Sequence, residues 1–303
     1  MSGASTRIGP SLLRRWPLPE VTGDGGKEDR GRALVVGGSV EIPGAVILAA
    51  TGALRAGAGK LQIATCREVA TAIAVAIPEA RVIGLRSARD GAIAPRSCRA
   101  ILSEVDRCDA LLVGPGMVEA RAVFELIRRR TGRGGTLVAD AGALRFWRGR
   151  KELPSPGRGA TIITPHAGEM ADLWGIERSE VLAHPLEVAR QAAAYLGVVV
   201  VLKGACTYVA APDGRAYHNT AGNVGLGTSG SGDALSGIIA GLAARGADAV
   251  QSAVWGVHLH ARAGDMLARK MGMLGFLARE LLAEIPPLLA RSTVKEPKRA
   301  RAR

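Results

Sequence analysis

Short apolar runs alternate with amphipathic stretches along the chain from residue 33 onward. Seven of these runs consist mainly of Val, Ile, Leu and Ala without polar alternation: ALVVGG, KLQIAT, ARVIGL, ALLVGPG, TLVADAG, ATIITPH and VVVVLKG. Strands that are buried on both faces of a sheet have this composition. Between several of the runs, as in residues 43–56 and 120–130, apolar residues recur with helical spacing. The alternation predicts an α/β fold, with a central, mostly parallel sheet and helices on both faces.

The pattern changes after the last of these runs. The segment TYVAAPDGRAYHN predicts a β-hairpin that turns at residues 212–214. Apolar spacing then predicts a helix over residues 234–245. Asp248 and Gln251 resemble a capping box, which predicts that a further helix begins there and runs through Ala268.

One domain is predicted, since no linker or internal repeat interrupts the pattern. We assign residues 27–290 to this domain. Residues 1–26 are predicted to be an irregular N-terminal lead-in. Residues 291–303, which end in KEPKRARAR, are predicted to form a basic, disordered tail.

The composition is apolar but poor in aromatic residues, which make up 3% of the 303 residues against 48% hydrophobic residues in all. No apolar run reaches the roughly 18 residues of a membrane helix, so no membrane role is expected. The four cysteines, at positions 66, 98, 108 and 206, are scattered and form no CxxC pair. They indicate a reducing compartment, and we therefore expect a cytoplasmic protein without disulfides.

The formal net charge is +13, from 40 Lys and Arg against 27 Asp and Glu. Such a balance suits an anionic partner, either a nucleic acid or a small molecule. The basic residues are spread through the chain, without the interleaved aromatic residues of a nucleic-acid platform. We therefore expect small-molecule substrates and no nucleic-acid partner.

Ligands of open α/β sheets bind beyond the carboxyl ends of the strands. The predicted strand ends are rich in glycine, which lets a ligand approach the backbone closely. They are GGS at 37–39, GPG at 114–116, DAG at 140–142, TPH at 164–166 and KG at 203–204. Among these residues, His166 is a candidate ligand contact, and Lys203 either pairs with a phosphate or extends to solvent.

A single acid stands in the glycine-rich stretch GNVGLGTSGSGDALSG at 222–237. Asp233 directly precedes an apolar helical pattern, which places it at the N-cap or in the first turn of a helix. One interpretation is a capping role. The other starts from the backbone amides of SGSG beside the positive end of the helix dipole, which together form a phosphate site. A carboxylate there would accept the proton of a hydroxyl that attacks a phosphoryl group, so Asp233 is the candidate base.

Two further patterns carry little weight. Residues 225–230 match G-x-G-x-x-G, but no apolar strand precedes them, which argues against a dinucleotide-binding fold. His258 and His260 are two residues apart in a helical pattern and point to different faces, so they make a poor pair of metal ligands. We predict no metal ligands among the site residues.

Five segments follow one another in a characteristic order: GGSVEIPGAVILAATGALRAGAGKLQIAT, GPG, TPHAGEM, VVLKGACTYVAAPDGRAYHNTAGN and GSGDALSGIIAGL. In this order they resemble the ADP/ATP-dependent NAD(P)H-hydrate dehydratases. The GSGD element alone would indicate only the wider ribokinase-like superfamily, but its combination with TPHxGEM and LKGxxT is more specific. The resemblance extends from about residue 27 to residue 286 and implies a ribokinase-like fold.

The resemblance also implies a reaction. In this family a nucleotide phosphorylates the ring hydroxyl of hydrated NAD(P)H, and elimination of phosphate then restores the cofactor. The co-substrate would be ADP or ATP, with Mg²⁺, and Asp233 would activate the hydroxyl. By the family pattern, the nucleotide would contact Lys203, Gly204, Ala205, Cys206, Thr207 and Gly232. The hydrated dinucleotide would contact Ala45, Gly116, His166 and Asp233.

The chain departs from the family pattern at several positions. Ile42 stands where an aromatic residue is usual, Met117 and Val118 replace Leu-Gly, Gly142 replaces an acid, and Ala167 replaces a proline. We therefore keep two alternatives: a ribokinase-like kinase of a sugar or a vitamin alcohol, and a non-catalytic nucleotide-binding protein. The resemblance further implies a homo-oligomer, a tetramer, and a separate epimerase that interconverts the two epimers of the hydrate.

Overall fold

All seven apolar runs form strands in the computed structural model, which describes residues 4–20, 26–118, 121–129, 135–149 and 160–293. The strands are β1 Thr6–Arg7, β2 Arg32–Val36, β3 Lys60–Cys66, β4 Ala80–Leu85, β5 Ala110–Val113, β6 Thr136–Ala139, β7 Thr161–Ile163, β8 Val199–Leu202, β9 Thr207–Ala210 and β10 Ala216–Asn219. They form one ten-stranded sheet in the order β1-β10-β9-β8-β7-β6-β5-β2-β3-β4. Strands β2 to β8 are parallel, whereas β9 and β10 form the predicted antiparallel hairpin.

Helices connect the strands. They are α1 Pro10–Arg15, α2 Gly44–Arg55, α3 Arg67–Ala76, α4 Leu102–Arg107, α5 Arg121–Arg129, α6 Ala167–Trp174, α7 Arg178–Ala183, α8 Pro185–Leu196, α9 Ser231–Ala244, α10 Ala249–Met271 and α11 Ala278–Thr293. Short 3₁₀ helices lie at Pro95–Ile101, Ala141–Trp147 and Val224–Leu226. The predicted helical segments 43–56 and 120–130 correspond to α2 and α5.

Both faces of the sheet are buried, as the apolar runs predict. Alternate residues of β2 belong to different clusters of buried side chains. Ala33 and Val35 pack in the cluster that α2, α9 and α10 share, and Leu34 and Val36 pack in the cluster that α6 and α8 share. The predicted architecture, a mostly parallel sheet with helices on both faces, is therefore confirmed.

The strand order reverses between β2 and β5. From β2 the chain runs outward through β3 to β4, and from β5 it continues in the opposite direction. Ligands of open α/β sheets bind at such a reversal. The amide of Gly38, after β2, donates to the carbonyl oxygen of Pro115, after β5, at 2.7 Å. Two of the predicted glycine-rich strand ends therefore meet at this point.

Helix α9 packs against α2 with almost no space between the two backbones. A Cβ atom on Gly237 would lie 2.1 Å from the carbonyl oxygen of Ala49, and one on Gly241 would lie 2.3 Å from that of Ala53. This contact fixes the position of α9 relative to the sheet. The helix begins at Ser231, earlier than the predicted residue 234, so that Asp233 lies within its first turn.

Helix α10 begins as predicted and ends slightly later, at Met271 rather than Ala268. The carboxylate of Asp248 accepts a hydrogen bond of 2.9 Å from the amide of Gln251. The side chain of Gln251 packs on the N-terminal segment, where its amide nitrogen donates to the carbonyl oxygen of Pro17 at 2.8 Å. This contact ties α10 to the N-terminal segment.

The prediction of an irregular lead-in over residues 1–26 is wrong for the described part of that segment. Strand β1 pairs in parallel with β10, and α1 buries Leu13. The indole nitrogen of Trp255, in α10, donates to the carbonyl oxygen of Trp16 at 2.9 Å. Burial of apolar side chains against α10 and α11 orders this segment. A two-residue strand has no periodicity that a sequence pattern could detect.

The C-terminal boundary also differs from the prediction. Helix α11 continues to Thr293, so the boundary between residues 290 and 291 lies inside a helix. The remaining residues of the predicted tail, 294–303, lie outside the described residues. No helix in the described part of the chain combines the length and apolar character that a membrane crossing requires.

Candidate active site

The N-terminus of α9 presents open backbone amides. Its N-cap is Gly230, which has a φ of 84° and no side chain to cap the helix. The amide of Ser231 donates to the carbonyl oxygen of Thr228 at 3.2 Å. The next two amides, of Gly232 and Asp233, have no acceptor within the described part of the chain. With the helix dipole, these donors make a site for an anion.

A buried ion pair lies at the ends of β6 and β8. The ammonium of Lys203 is 3.0 Å from a carboxylate oxygen of Asp140 and 3.8 Å from one of Glu169. Asp140 is 1% exposed, and it also accepts a hydrogen bond of 2.7 Å from the hydroxyl of Thr164, at the end of β7. The Lys203 side chain is 19% exposed, so it does not extend to solvent, which was one of its two interpretations.

The ion pair lies close to the uncapped N-terminus of α9. A Cβ atom on Gly232 would lie 3.3 Å from the Lys203 ammonium, so the amides and the cation share one space. Burial alone would lower the pKa of Lys203, but the charges of Asp140 and Glu169 outweigh burial and raise it. Lys203 therefore remains a cation, available to an anion bound at the helix.

Asp233 is the third residue of α9 and faces this charge cluster. Burial raises the pKa of its carboxyl group to about 7, and the negative charges of Asp140 and Glu169 act in the same direction, whereas Lys203 opposes them. A carboxylate with such a pKa can take up and release a proton near neutral pH. A capping role explains none of these features, because the N-cap position belongs to Gly230.

His166 begins α6, which starts at the end of β7. Its Nδ1 accepts hydrogen bonds from the amides of Gly168 and Glu169, at 3.0 and 3.1 Å. Glu169 in turn accepts a bond of 2.8 Å from the amide of His166, which completes a capping box. Since Nδ1 is the acceptor, Nε2 of the neutral ring carries the hydrogen. The side chain is 59% exposed, and its Nε2 lies 3.6 Å from a carboxylate oxygen of Glu169.

The predicted nucleotide contacts after Lys203 form one turn between β8 and β9. Gly204 and Ala205 are exposed, and Cys206 and Thr207 are partly exposed. The Thr207 hydroxyl lies 3.4 Å from the carbonyl oxygen of Gly204, which it donates to across the turn. The turn follows Lys203 directly in the chain.

Ala45 and Gly116 lie together on the other side, at the reversal of strand order. A Cβ atom on Gly116, whose φ is 66°, would lie 3.0 Å from the Cβ of Ala45 and 2.5 Å from the carbonyl oxygen of Ile42. Ala45 is 7% exposed, so it offers little side-chain surface. The glycine lets the two loops approach, and a ligand there would meet mainly backbone.

A cavity of about 320 Å³ opens beside this contact and reaches Glu169. Four of the positions at which the chain departs from the family pattern line it: Ile42, Met117, Val118 and Gly142. A Cβ atom on Gly142 would lie 2.1 Å from the carbonyl oxygen of Met117, so an acid does not fit at this position without a shift of the neighbouring loop. Two of the departures are therefore coupled by packing.

The described residues contain no group of three or more His, Cys, Asp and Glu side chains that could hold a metal ion. Two of the carboxylates at this site, Asp140 and Glu169, already face the Lys203 ammonium. Any metal ion would therefore need further oxygen ligands from a bound molecule.

A family model described as NAD(P)H-hydrate dehydratase matches residues 33–287. The chain belongs to this family. An ADP-dependent (S)-NAD(P)H-hydrate dehydratase of Xanthomonas campestris is 47% identical over 293 residues, which are 96% of this chain and 99% of that protein. A bifunctional NAD(P)H-hydrate repair enzyme of Moorella thermoacetica is 38% identical over 276 residues, and there the chain spans 52% of the relative's length.

Solved structures agree with this membership of the NAD(P)H-hydrate dehydratase family. The ADP/ATP-dependent enzyme of Bacillus subtilis, co-crystallised with ATP and Mg²⁺, superimposes with a TM-score of 0.83 at 31% identity, covering 95% of this chain and 99% of that one. A ribokinase-like superfamily protein of Enterococcus faecalis superimposes with a TM-score of 0.82 at 25% identity, covering 95% and 96%. The predicted ribokinase-like fold is therefore confirmed.

Two residues of this NAD(P)H-hydrate dehydratase site were missed as functional candidates from the sequence. From the sequence, Asp140 is included in a strand end and Glu169 in the TPHAGEM segment, but no role is proposed for either residue. Asp140 could have been found, because it is an acid directly after an apolar strand. Glu169 closes a capping box with His166. This box is hard to find from the sequence, because the common capping box begins with Ser or Thr.

Proposed function

We propose that the chain catalyses the nucleotide-dependent dehydration of hydrated NAD(P)H, which restores NAD(P)H. The observation that carries this proposal is the position of Asp233. Its carboxyl group, with a pKa of about 7, lies in the first turn of α9, beside open amides and the ammonium of Lys203. A base beside an anion site is what phosphoryl transfer to an alcohol requires.

In the first step Asp233 accepts the proton of the ring hydroxyl. The hydroxyl oxygen bonds to the terminal phosphorus of the nucleotide, and the bond from that phosphorus to its bridging oxygen breaks. The amides of Gly232 and Asp233 and the charge of Lys203 stabilise the negative charge on the transferred group. In the second step the ring carbon–oxygen bond breaks and phosphate leaves with its electron pair. The adjacent carbon releases a proton to water, and the electron pair of that carbon–hydrogen bond forms the restored double bond.

Family membership and the geometry support the same division of the site. The nucleotide would lie on the turn of residues 203–207 and at Gly232, next to the cation. The hydrated dinucleotide would lie against Ala45, Gly116 and the exposed side chain of His166. ADP is the co-substrate that we infer, because the names of the relatives from X. campestris and B. subtilis specify ADP dependence.

Mg²⁺ would enter with the nucleotide. Proteins commonly bind this ion through one or two carboxylates together with substrate phosphates, and the described residues fit that arrangement better than a closed site. Glu169, whose side chain is 23% exposed beside Lys203, is the carboxylate that we expect to hold it. When bound, the ion neutralises charge on the transferred phosphoryl group.

The relatives also indicate which other enzyme would act with this chain. Relatives such as that of M. thermoacetica are bifunctional repair enzymes, and the chain spans about half of that relative. We infer that a separate epimerase supplies the epimer that this chain consumes. We also infer a cytoplasmic location, where reduced dinucleotides are used, and a tetramer of identical chains.

The experiment mixes the protein with hydrated NADPH, Mg²⁺ and either ADP or ATP, and follows the recovery of reduced-nicotinamide absorbance. We expect recovery that depends on the nucleotide. Asp233→Asn should lower turnover by about 10²-fold or more, because the base is lost, while ADP titration stays unchanged. The matched control is Asp213→Asn, an acid in the exposed hairpin turn with no contact to the site.

Full activity of Asp233→Asn would show that another group is the base. Consumption of nucleotide with accumulation of a stable phosphorylated alcohol, and without recovery of absorbance, would favour the kinase alternative. The absence of both nucleotide binding and turnover in the wild-type protein would favour the non-catalytic one.

A further inference from the structure

A buried histidine contacts the first residue of α9. The hydroxyl of Ser231 lies 2.9 Å from Nε2 of His260, which comes from the middle of α10. The two residues are 5% and 9% exposed. The pair is therefore buried at the helix end whose amides are open.

The contact of Ser231 matters for the position of these amides. Ser231 is the first residue of α9 and Gly230 is the N-cap, so the amides of Gly232 and Asp233 are open because the N-cap has no side chain. The hydroxyl of Ser231 pairs with His260 and thereby joins the first turn of α9 to α10. This bond fixes the turn that carries the open amides.

The packing of α9 on α10 makes His260 a fixed partner. One turn before His260, a Cβ atom on Gly256 would lie 2.5 Å from a side-chain carbon of Ile239, so the two helices are in close contact there. Burial lowers the pKa of His260 to about 4, the charge of Lys203 acts in the same direction, and a contact with the backbone of Ser231 opposes both. The ring is therefore neutral near pH 7, and it holds Ser231 by a hydrogen bond alone.

A second histidine on α10 provides a comparison. His258 is as buried as His260, and burial also lowers its pKa to about 4. Its Nδ1 has no hydrogen-bond partner among the described residues, and the charges that act on the ring are those of Arg262 and Asp265, on its own helix. His258 therefore shares the helix and the burial of His260, but not the contact with α9.

We propose that His260 is a positioning residue, which acts through Ser231 to fix the first turn of α9, so that its open amides stay aimed at the nucleotide phosphates. This role rests on the proposed function, because that function supplies the phosphate. His260 itself touches neither the nucleotide nor the reacting atoms. Its contribution is the geometry of the donors that stabilise the transferred group.

Two substitutions at one position test this role. In His260→Gln the side-chain amide reaches the place of Nε2 and can keep the bond to Ser231, whereas the shorter side chain of His260→Asn cannot. We expect His260→Asn to weaken ADP binding by about tenfold, the effect of one lost hydrogen bond, and His260→Gln to bind within about threefold of wild type. The control His258→Asn should bind ADP as the wild type does.

The measurement is ADP titration of the full chain by calorimetry, with unfolding curves to show that each variant is folded. Combining Ser231→Ala with His260→Asn should weaken binding no more than the single histidine change, because the two residues act as one unit. Full additivity of the two changes would overturn the role.

Two further results separate this role from the proposed function. Equal ADP affinities for His260→Gln and His260→Asn, with normal wild-type binding and turnover, would overturn the role of His260 alone. Wild-type protein that binds no ADP would overturn the proposed function, and the role of His260 with it.

Discussion

Helices α6 and α9 begin with similar residues, but the first amides are capped in α6 and open in α9. From the N-cap to the third helical position, α6 reads HAGE at 166–169 and α9 reads GSGD at 230–233. In both helices glycine occupies the second helical position and an acid the third. Both helix ends also lie within reach of Lys203, through Glu169 in α6 and Gly232 in α9.

The difference lies in the N-cap side chain. His166 accepts hydrogen bonds from the first free amides of α6, and Glu169 closes the box by accepting from the His166 amide. Gly230 has no side chain, so the corresponding amides of α9 stay open, and within the described part of the chain Asp233 does not close a capping box with the Gly230 amide. The comparison teaches that an anion site arises where a cap is missing, and that the acid left over there becomes available as a base.

The largest difference between the N-termini of α6 and α9 is expected when the glycine at the second helical position, Gly168 or Gly232, is replaced by valine. A Cβ atom on Gly232 points at the Lys203 ammonium, so Gly232→Val should fill the phosphate position and weaken ADP binding by about 100-fold or more, since charge-assisted hydrogen bonds are lost. At Gly168 a Cβ atom would meet only the His166 ring, at 3.1 Å, and Gly168→Val should bind ADP within about threefold of wild type. Equal losses in an ADP titration would contradict the distinction.

The acid of α9 should also set the pH dependence. Because the pKa of Asp233 is about 7, it is protonated below that pH and cannot act as the base. We expect kcat/KM to fall by about tenfold per unit below pH 7 and to level off above it. Lys203 holds this pKa down, so in Lys203→Met the midpoint should move to higher pH. A midpoint that stays in place would show that another group controls the profile.

The smallest effect is expected at the capped N-terminus of α6. His166→Ala should lower the free energy of unfolding by about 1 kcal/mol, because the cap of α6 is lost, whereas His166→Asn should keep most of it, since Asn caps well. Denaturant unfolding measures this difference. Both variants lack Nε2, so both should raise KM for the hydrated dinucleotide. If only the alanine variant raised KM, His166 would serve as a cap and not as a contact.

Much of the fold could be predicted from local patterns. The runs that became β2 to β8 are apolar on both faces, and the helices between them have regular spacing, so each is specified by its own residues. The N-terminal segment could not be predicted, because β1 exists only by pairing with β10, more than 200 residues away.

The site was predicted in part for a similar reason. Asp233 could be found from its own surroundings, a glycine-rich loop followed by a helix. The contact of Asp140 with Lys203 depends on the order β6-β7-β8 within the sheet, which no local pattern contains. The same holds for Ser231 and His260, which meet only because α9 and α10 pack together.

The burial of Asp233 has a consequence for folding. In an unfolded chain an aspartate has a pKa of about 4, so between pH 4 and pH 7 the folded chain retains a proton that the unfolded chain releases. Folding stability from this group is therefore greatest at low pH and declines as the pH rises to 7, by about 1.4 kcal/mol for each unit by which the pKa is raised. The carboxylate that we propose as the base opposes folding at the pH at which it works.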